Sequence, residues 1–192
     1  MTVAGVLLAA GASHRFGADN KLLAMLHGRP LVRHAAEAMC EFRPSVLIAS
    51  TKSPEIAKLL PEFQIATPPE EAPEQSDSLR AGVCLAESHG ATRIFIALAD
   101  MPFVTADLLN EVVDKCTDSR PSAATDGQRT MPPACFPQPY FNALKTLSGD
   151  RGAGALLKEL PQAALVQVAD DMLIDIDTPN SLSAAQSDAG LR

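Results

Sequence analysis

The sequence predicts an α/β protein built on a mostly parallel central sheet. Val3 to Leu8 form a continuous apolar run, which a strand buried on both faces requires. Further short apolar runs alternate with segments whose apolar residues recur at helical spacing. The composition is 46% hydrophobic but only 4% aromatic, without Trp, which indicates a core of Leu, Ile, Val and Ala between helices and a sheet.

The predicted elements follow in order along the chain. Later strands are predicted at Val46–Ala49, Phe63–Ala66, Ile94–Leu98, Leu165–Val168 and Leu173–Ile174, with a hairpin from Ser122 to Phe136. Helices are predicted after Pro30, Ser53, Ser76, Thr105, Tyr140, Gly149 and Thr178. Because proline cannot donate to a sheet ladder, Pro132 and Pro133 predict that part of the hairpin is an edge or a loop.

Size and charge limit the functions that the chain can have. With 192 residues it is long enough for one domain with a full core, so we expect a single domain over residues 1–192. A net charge of −7 argues against a nucleic-acid surface, although a local cationic pocket for a small anion remains compatible with it.

Hydropathy and cysteine spacing predict the compartment. No run approaches the ~20 apolar residues that span a bilayer, and the N-terminus lacks the basic start of a signal peptide. We therefore expect a cytoplasmic protein without a membrane partner. The four cysteines lie far apart, which argues against a zinc cage and favours buried, reduced thiols at Cys40, Cys84, Cys116 and Cys135.

The first strand ends in a loop of small residues, Gly11 to Gly17, followed by Lys21. Small residues let the backbone approach a ligand, and Arg15 and Lys21 add positive charge, so the loop is a candidate anion site. The alternative is an ordinary strand-to-helix loop with two solvated cations. The glycine spacing fits neither the dinucleotide fingerprint nor the ATPase phosphate loop.

Two acidic segments are further candidates. Asp100 follows the strand Ile94–Leu98, and open α/β sheets bind ligands at the carboxyl ends of such strands. Its alternative role is a turn cap. In Asp175-Ile176-Asp177-Thr178-Pro179 the two carboxylates are one residue apart on an extended segment, so only one of them can reach a given pocket. The alternative is that this segment simply starts a helix.

Five ordered segments resemble the MobA-like nucleotidyltransferases, and most closely the molybdenum cofactor cytidylyltransferases. They are L-A-A-G-x-S-x-R-x-G from Leu8 to Gly17 followed by Lys21, then Ser78 to Gly82, Leu98 to Pro102, Gly149 to Ala153, and Asp175 to Pro179. The resemblance implies a Rossmann-like three-layer sandwich of the nucleotide-diphospho-sugar transferase type. One segment departs from the family, because Gln75-Ser76-Asp77 stands where glycines usually precede the serine.

The resemblance also implies roles for individual residues. Catalytic roles fall on Arg15, Lys21 and Asp100, and Mg²⁺ ligands are Asp100 and Asp177. Nucleotide contacts are expected from Leu8, Ala9, Ala10, Gly11, Ala12, Ser13, Lys21 and Ser78. Acceptor contacts are expected from Asp150 and Arg151, although a capping aspartate beside a solvated arginine would explain that pair equally well.

The implied reaction is Mg²⁺-dependent transfer of CMP from CTP to the molybdopterin form of the molybdenum cofactor, with release of pyrophosphate. An ionised acceptor phosphate needs no general base, which agrees with four scattered histidines and no Ser-His-Asp or Cys-His pattern. Alternatives are a transferase that uses GTP or another NTP on a sugar phosphate, and a non-catalytic accessory protein. A molybdoenzyme or its chaperone is an expected partner, whereas nucleic acid is not.

Overall fold

The computed structural model describes residues 1–10, 16, 20–69, 75–149 and 152–187. The strands are β1 Val3–Leu8, β2 Met25–Leu26, β3 Arg29–Pro30, β4 Val46–Ser50, β5 Gln64–Ala66, β6 Arg93–Leu98, β7 Ser122–Thr125, β8 Thr130–Pro137 and β9 Leu165–Gln167. The helices are α1 Leu31–Phe42, α2 Pro54–Lys58, α3 Gln75–Ser88, α4 Ala106–Lys115, α5 Phe141–Thr146 and α6 Pro179–Ser187. Short 3₁₀ turns lie at Lys21–Leu23, Gln138–Tyr140, Ala153–Leu156, Gln162–Ala164 and Asp170–Leu173.

Seven strands form the main sheet in the order β5-β4-β1-β6-β8-β7-β9. The first four in this order are mutually parallel. Strand β8 runs antiparallel to both β6 and β7, and β9 pairs in parallel with β7. All six residues of β1 are buried, and β4 and β6 flank it. The prediction that the first apolar run is a central strand is therefore confirmed.

Helices cover both faces of this sheet. Along β1, Val3 and Leu7 join a core cluster that includes α1 and α4, whereas Ala4 and Val6 join a second cluster that includes α3 and α5. A Cβ atom on Gly82 of α3 would lie 2.5 Å from a methyl carbon of Val6, so glycine is required for α3 to pack this closely. The arrangement is the three-layer α/β sandwich that the sequence predicts.

Several helices begin where the capping residues predicted. The Ser53 hydroxyl accepts a hydrogen bond from the Ile56 N–H at 3.2 Å, and the Thr105 hydroxyl accepts one from the Leu108 N–H at 3.3 Å. Pro30 directly precedes α1. These contacts occupy N–H groups that the first helical turn leaves without partners.

The proline-rich hairpin contains a strand, β8, that lies between two others over only part of its length. Strand β8 lies inside the sheet, and its register against β7 shifts so that Ala134 faces Ala123 but Met131 faces Ala124. Pro132 and Pro133 lie within this bulge, where the ladder needs no N–H group from them. The ladder between β8 and β6 covers only Ala134 to Pro137, so the part of β8 that holds both prolines has no partner on the β6 side, in agreement with the expectation that part of the hairpin is an edge.

Three other local predictions differ from the structure. The predicted strand Leu173–Ile174 is not formed, because Asp170–Leu173 is a 3₁₀ turn. Shortly after it, the Ile176 N–H donates to the Asp100 carbonyl, which follows β6. The helix expected after Gly149 is the short 3₁₀ turn Ala153–Leu156. All four thiols are free, but Cys84 is exposed and Cys40 is half-buried, so only the other two are buried as expected.

Among the described residues, no helix has the length and apolar character needed to cross a membrane.

Candidate active site

The carboxyl ends of three parallel strands meet at one edge of the sheet. The Ala9 N–H donates to the Ser50 carbonyl at 2.9 Å, and the Ala99 N–H donates to the Leu8 carbonyl at 3.1 Å. These bonds extend the pairing of β1 with β4 and β6 just past the strand ends. Because β1 connects to β4 on one side and borders β6 on the other, this edge is the point where strand order reverses. Open α/β sheets bind their ligands at this position.

Lys21 is buried at this edge, with 7% of its surface exposed. It begins a 3₁₀ turn that Asn20 caps by accepting a hydrogen bond from the Leu22 N–H at 3.1 Å. Its ammonium donates to Asp100 Oδ2 at 2.7 Å and to Asp177 Oδ1 at 2.5 Å. Three residues that are distant in sequence therefore form one ionic cluster.

The chain holds Asp177 beside Asp100 through its backbone. The Ile176 N–H donates to the Asp100 carbonyl at 2.9 Å. Immediately afterwards, the Thr178 N–H donates to Ser181 Oγ at 3.0 Å and the Ser181 N–H donates to Thr178 Oγ1 at 3.1 Å. This reciprocal cap fixes the start of α6. The D-I-D-T-P segment thus starts a helix and also brings Asp177 to Lys21.

Burial and ion pairing act in opposite directions on the charged groups of this cluster. Burial raises the pKa of Asp100 even though Lys21 attracts its carboxylate. Burial alone would lower the pKa of Lys21, but Asp100 and Asp177 together raise it, so the ammonium form is retained. Asp100 Oδ1 is buried without a hydrogen-bond partner among the described residues. In the part of the chain that the structure describes, Lys21 thus contacts two carboxylates, and Asp100 Oδ1 is an acceptor oxygen that a further cation could use.

Ser78 lies in the first turn of α3, next to the end of β4. The Ser50 hydroxyl donates to the Ser78 carbonyl at 2.7 Å in a buried contact. The hydroxyls of Ser78 and Ser76 are both buried without a hydrogen-bond partner among the described residues. A buried hydroxyl without a partner costs free energy, so the start of α3 carries polar groups suited to bind a ligand.

The structure gives the positions of some of the predicted site residues. It places Leu8, Ala9 and Ala10 at the end of β1, and it brings Lys21, Asp100 and Asp177 together. Predicted contacts that lie outside the described residues are Gly11, Ala12, Ser13, Arg15, Asp150 and Arg151. Sequence reasoning missed the unpartnered Ser76 hydroxyl. Its only signal was that Gln75-Ser76-Asp77 replaces the glycines usual in the resembling family.

A mostly parallel sheet with a lysine and two carboxylates at its switch point is an arrangement that suits a small charged ligand. Residues 5–168 match the MobA-like NTP transferase domain, and the chain belongs to this family. It is therefore a nucleotidyltransferase, as the sequence motifs predicted.

Three similar proteins illustrate the range of the family. The chain is 34% identical to purine catabolism protein PucB of Bacillus subtilis over 190 residues, 91% of each chain. It is 27% identical to a molybdenum cofactor guanylyltransferase of Shewanella piezotolerans, over 74% of this chain and 70% of that one. The manganese complex of Rv0371c from Mycobacterium tuberculosis has a TM-score of 0.80 at 22% identity, covering 97% and 99% of the two chains. The last similarity supports the predicted fold.

Proposed function

We propose that this protein transfers CMP from CTP to the molybdopterin form of the molybdenum cofactor and releases pyrophosphate. The observation that carries the proposal is the Lys21–Asp100–Asp177 cluster at the switch point of the sheet. The acceptor is supported by the resemblance of the motifs to cytidylyltransferases and by the guanylyltransferase relative. The four free thiols are compatible with a reaction in the reducing cytoplasm.

Asp100 and Asp177 suit a divalent cation. Asp100 Oδ1 lacks a hydrogen-bond partner among the described residues, and the Asp177 side chain is 40% exposed, so substrate can reach it. Mg²⁺ prefers one or two carboxylates together with substrate phosphates over a complete protein cage. We assign Mg²⁺ to these two carboxylates, and the manganese complex of the Mycobacterium protein supports a divalent ion of this kind. Bound there, the ion would neutralise charge on the triphosphate.

The chain itself supplies position and positive charge. An oxygen of the acceptor phosphate bonds to the α-phosphorus of CTP while the bond from that phosphorus to the α–β bridging oxygen breaks. The bridging oxygen keeps the electron pair, and pyrophosphate leaves. Lys21 and Arg15 neutralise the negative charge that develops on the leaving group. Because the attacking phosphate is already ionised, the cluster needs no proton acceptor.

The nucleotide is held by the end of β1 and the loop after it, from Leu8 to Ser13, together with Ser78. Strands β4 and β6 pair with β1 along its length up to Leu8, where this loop begins. The unpartnered hydroxyl of Ser78 is suited to a polar atom of the nucleotide. On the opposite side of the reacting phosphates, Asp150 and Arg151 contact the acceptor, and a molybdoenzyme or its chaperone then receives the product.

A second candidate function is the same nucleotidyl transfer with different substrates. The relative with 34% identity is named for purine catabolism, not for the molybdenum cofactor. The same cluster would serve transfer from GTP or another NTP to a different phosphorylated small molecule, such as a sugar phosphate.

One panel of reactions tests these assignments. The protein is incubated with Mg²⁺, with either the molybdenum cofactor or a sugar phosphate as acceptor, and with each of the four NTPs in turn, and pyrophosphate is measured. The proposal expects the fastest release with CTP. Faster release with GTP would change the donor, and release only with a sugar phosphate would favour the second candidate. Binding of the cofactor without pyrophosphate release would indicate an accessory protein.

A further inference from the structure

Two of the four cysteines lie in the same part of the core. Cys116 ends α4, where its N–H donates to the Val113 carbonyl at 3.1 Å, and Cys135 lies in β8. Helix α4 packs on β8, and both thiols belong to the core cluster on that face of the sheet. Their exposed fractions are 3% and 0%. The two cysteines thus lie on facing elements within one packed layer.

Ser122 locates the two thiols relative to each other. It lies directly opposite Cys135 in the ladder between β7 and β8, and its hydroxyl donates to the Val112 carbonyl in the last part of α4. Side chains directly opposite each other on neighbouring strands lie close together on one face. The Cys116 thiol contacts both the Ser122 hydroxyl and the Cys135 thiol. The two sulfur atoms are therefore direct neighbours.

Arg93 supplies positive charge beside this pair. It lies in β6 two residues before Phe95, which is the ladder partner of Cys135, so its side chain is on the same face as that thiol. Its Nη2 donates to Asp118 Oδ1 at 3.0 Å. Its Nε–H is buried and has no hydrogen-bond partner among the described residues. A buried donor without a partner costs free energy, and a thiolate within its reach would lower that cost.

The surroundings make the two thiols unequal. The contact with Cys135 lowers the pKa of Cys116, with help from Arg93 and Ser122, although burial and Asp118 oppose this shift. The same contact, together with burial, raises the pKa of Cys135. Cys116 therefore ionises more easily, while its neighbour keeps its proton. A thiolate beside a second thiol is the arrangement from which a disulfide forms.

The pair lies away from the active site. Cys135 faces Phe95 near the start of β6, whereas Asp100 follows the end of this strand. At ~3.3 Å per residue, the two positions are roughly 15 Å apart. The thiols are therefore separate from the Lys21–Asp100–Asp177 cluster, and the transfer reaction uses neither of them.

We propose that Cys116 and Cys135 are a redox-sensitive pair, which a hydroperoxide such as hydrogen peroxide converts into a disulfide between the end of α4 and β8. The Cys116 thiolate attacks one peroxide oxygen, so that an S–O bond forms, the O–O bond breaks and hydroxide leaves with the electron pair. The Cys135 thiol then loses its proton, and its sulfur attacks the Cys116 sulfur. The S–S bond forms, the S–O bond breaks, and water is released. Both sulfurs are oxidised, and the peroxide is reduced to water.

Peptide mapping without reduction tests the cross-link. The full-length protein with Cys40→Ser and Cys84→Ser, which lacks the two more exposed thiols, is treated with hydrogen peroxide under native conditions. We expect a mass loss of about 2 Da and a Cys116–Cys135 disulfide that dithiothreitol reverses, as for the transient disulfides of reducing compartments. If both thiols stayed reduced in the folded protein and reacted only in urea, the proposal would be overturned.

Single substitutions in the same background test the order of the two steps. Cys135→Ser should stop the reaction at the sulfenic acid of Cys116, which a dimedone probe traps. Cys116→Ser should leave Cys135 reduced. Sulfenic acid found on Cys135 and not on Cys116 would overturn the assigned order. If either variant fails to fold, mapping of the unsubstituted pair still decides whether the disulfide forms.

Thermal unfolding gives a second readout. The disulfide would restrain the unfolded chain between α4 and β8, so the oxidised protein should have a Tm higher than that of the reduced protein by roughly 5 °C. The Cys135→Ser variant treated with peroxide is the control and should show no rise. An unchanged or lower Tm after cross-linking would contradict a disulfide that the native fold accommodates. Because neither mass nor Tm depends on turnover, this inference and the transferase proposal can fail separately.

Discussion

Two ionic clusters in this protein have similar components and different surroundings. At the sheet edge, Lys21 lies between Asp100 and Asp177, with 8% of its side chain exposed. On the outer surface, Arg33 lies between Glu37 of α1 and Glu62, with 20% of its side chain exposed and about 40% of each glutamate exposed. Both clusters place a cation between two carboxylates, and on the surface Glu37 also pairs with Arg29.

The net pKa shifts of the two carboxylates have opposite signs, although each cation lowers the pKa of its own carboxylate. A hydrogen bond from Arg33 lowers the pKa of Glu62, whereas burial raises the pKa of Asp100 in spite of Lys21. Burial thus outweighs ion pairing at the sheet edge, and ion pairing outweighs burial on the surface. A protein gains little stability from a buried, incompletely paired carboxylate. We infer that the edge cluster is maintained for function and the surface cluster for modest stability.

The largest expected effect is that of Asp100→Asn. The change removes the charge that would bind the cation but almost no volume, so pyrophosphate release should fall by about 10²-fold or more. The free energy of unfolding should change by less than about 1 kcal/mol, since the loss of a Lys21 contact is offset by relief of a buried charge. Steady-state kinetics and urea unfolding measure both quantities. Asp114→Asn, on the exposed side of α4, is the matched control. Normal turnover in Asp100→Asn would contradict the metal assignment.

Lys21→Met should have the next largest effect. It keeps the length of the side chain but leaves two carboxylates without their cation, so transfer should slow by roughly 10²-fold and stability should decrease. Because Mg²⁺ would then neutralise the carboxylates, the variant should gain more stability from added Mg²⁺ than the wild type does. Thermal unfolding over a range of Mg²⁺ concentrations measures this difference. Equal stabilisation of both proteins would mean that Asp100 and Asp177 do not hold the ion.

Asp177→Asn should have a smaller effect than either, because its side chain is 40% exposed and water can replace part of its role. We expect a loss of roughly tenfold in kcat/KM, equivalent to about 1.4 kcal/mol of transition-state stabilisation. Asp175→Asn is the control on the same segment and should remain near the wild-type value. Equal, negligible effects of the Asp177 and Asp175 substitutions would mean that the segment serves only to start α6.

Much of the sheet edge at the ends of β1 and β6 was predictable, because the sequence patterns that indicate it are local. The apolar run of β1 and the carboxylate after β6 are continuous in sequence, and both are where the patterns predicted them. The bond from Ile176 to Asp100 was not predictable, since it joins segments that no periodicity relates. Contacts between distant segments are also why the motif indicated Lys21 as a phosphate contact but did not predict that it pairs with both aspartates.

The errors in the fold have a common physical origin. Whether a strand is internal depends on pairing with distant segments, so Pro132 and Pro133 indicated the unpaired part of β8 but not that Ala134 to Pro137 lie between β6 and β7. Leu173 is buried, which its apolar character predicts, but burial alone does not distinguish a strand from a 3₁₀ turn. The close approach of Gly152 to the Gln75 side chain was also not predictable, because the two residues are far apart in sequence.

The smallest expected effect concerns the surface cluster and completes the comparison. Arg33 donates to the two carboxylate oxygens of Glu62 at 3.0 and 3.2 Å, but Glu62 is 40% exposed, so Glu62→Gln should reduce the free energy of unfolding by less than about 1 kcal/mol. The pKa of Glu62 lies below its ordinary value of 4.5 in the folded protein, so this contribution is present above pH 4.5. It is lost as the pH falls through the lowered folded-state pKa. Urea unfolding of both proteins at pH 7 and at pH 3 should therefore show a difference that is smaller at the lower pH, while Glu111→Gln on the exposed side of α4 shows none at either. A larger loss at pH 7, comparable with that of Lys21→Met, would mean that exposure does not separate the two clusters.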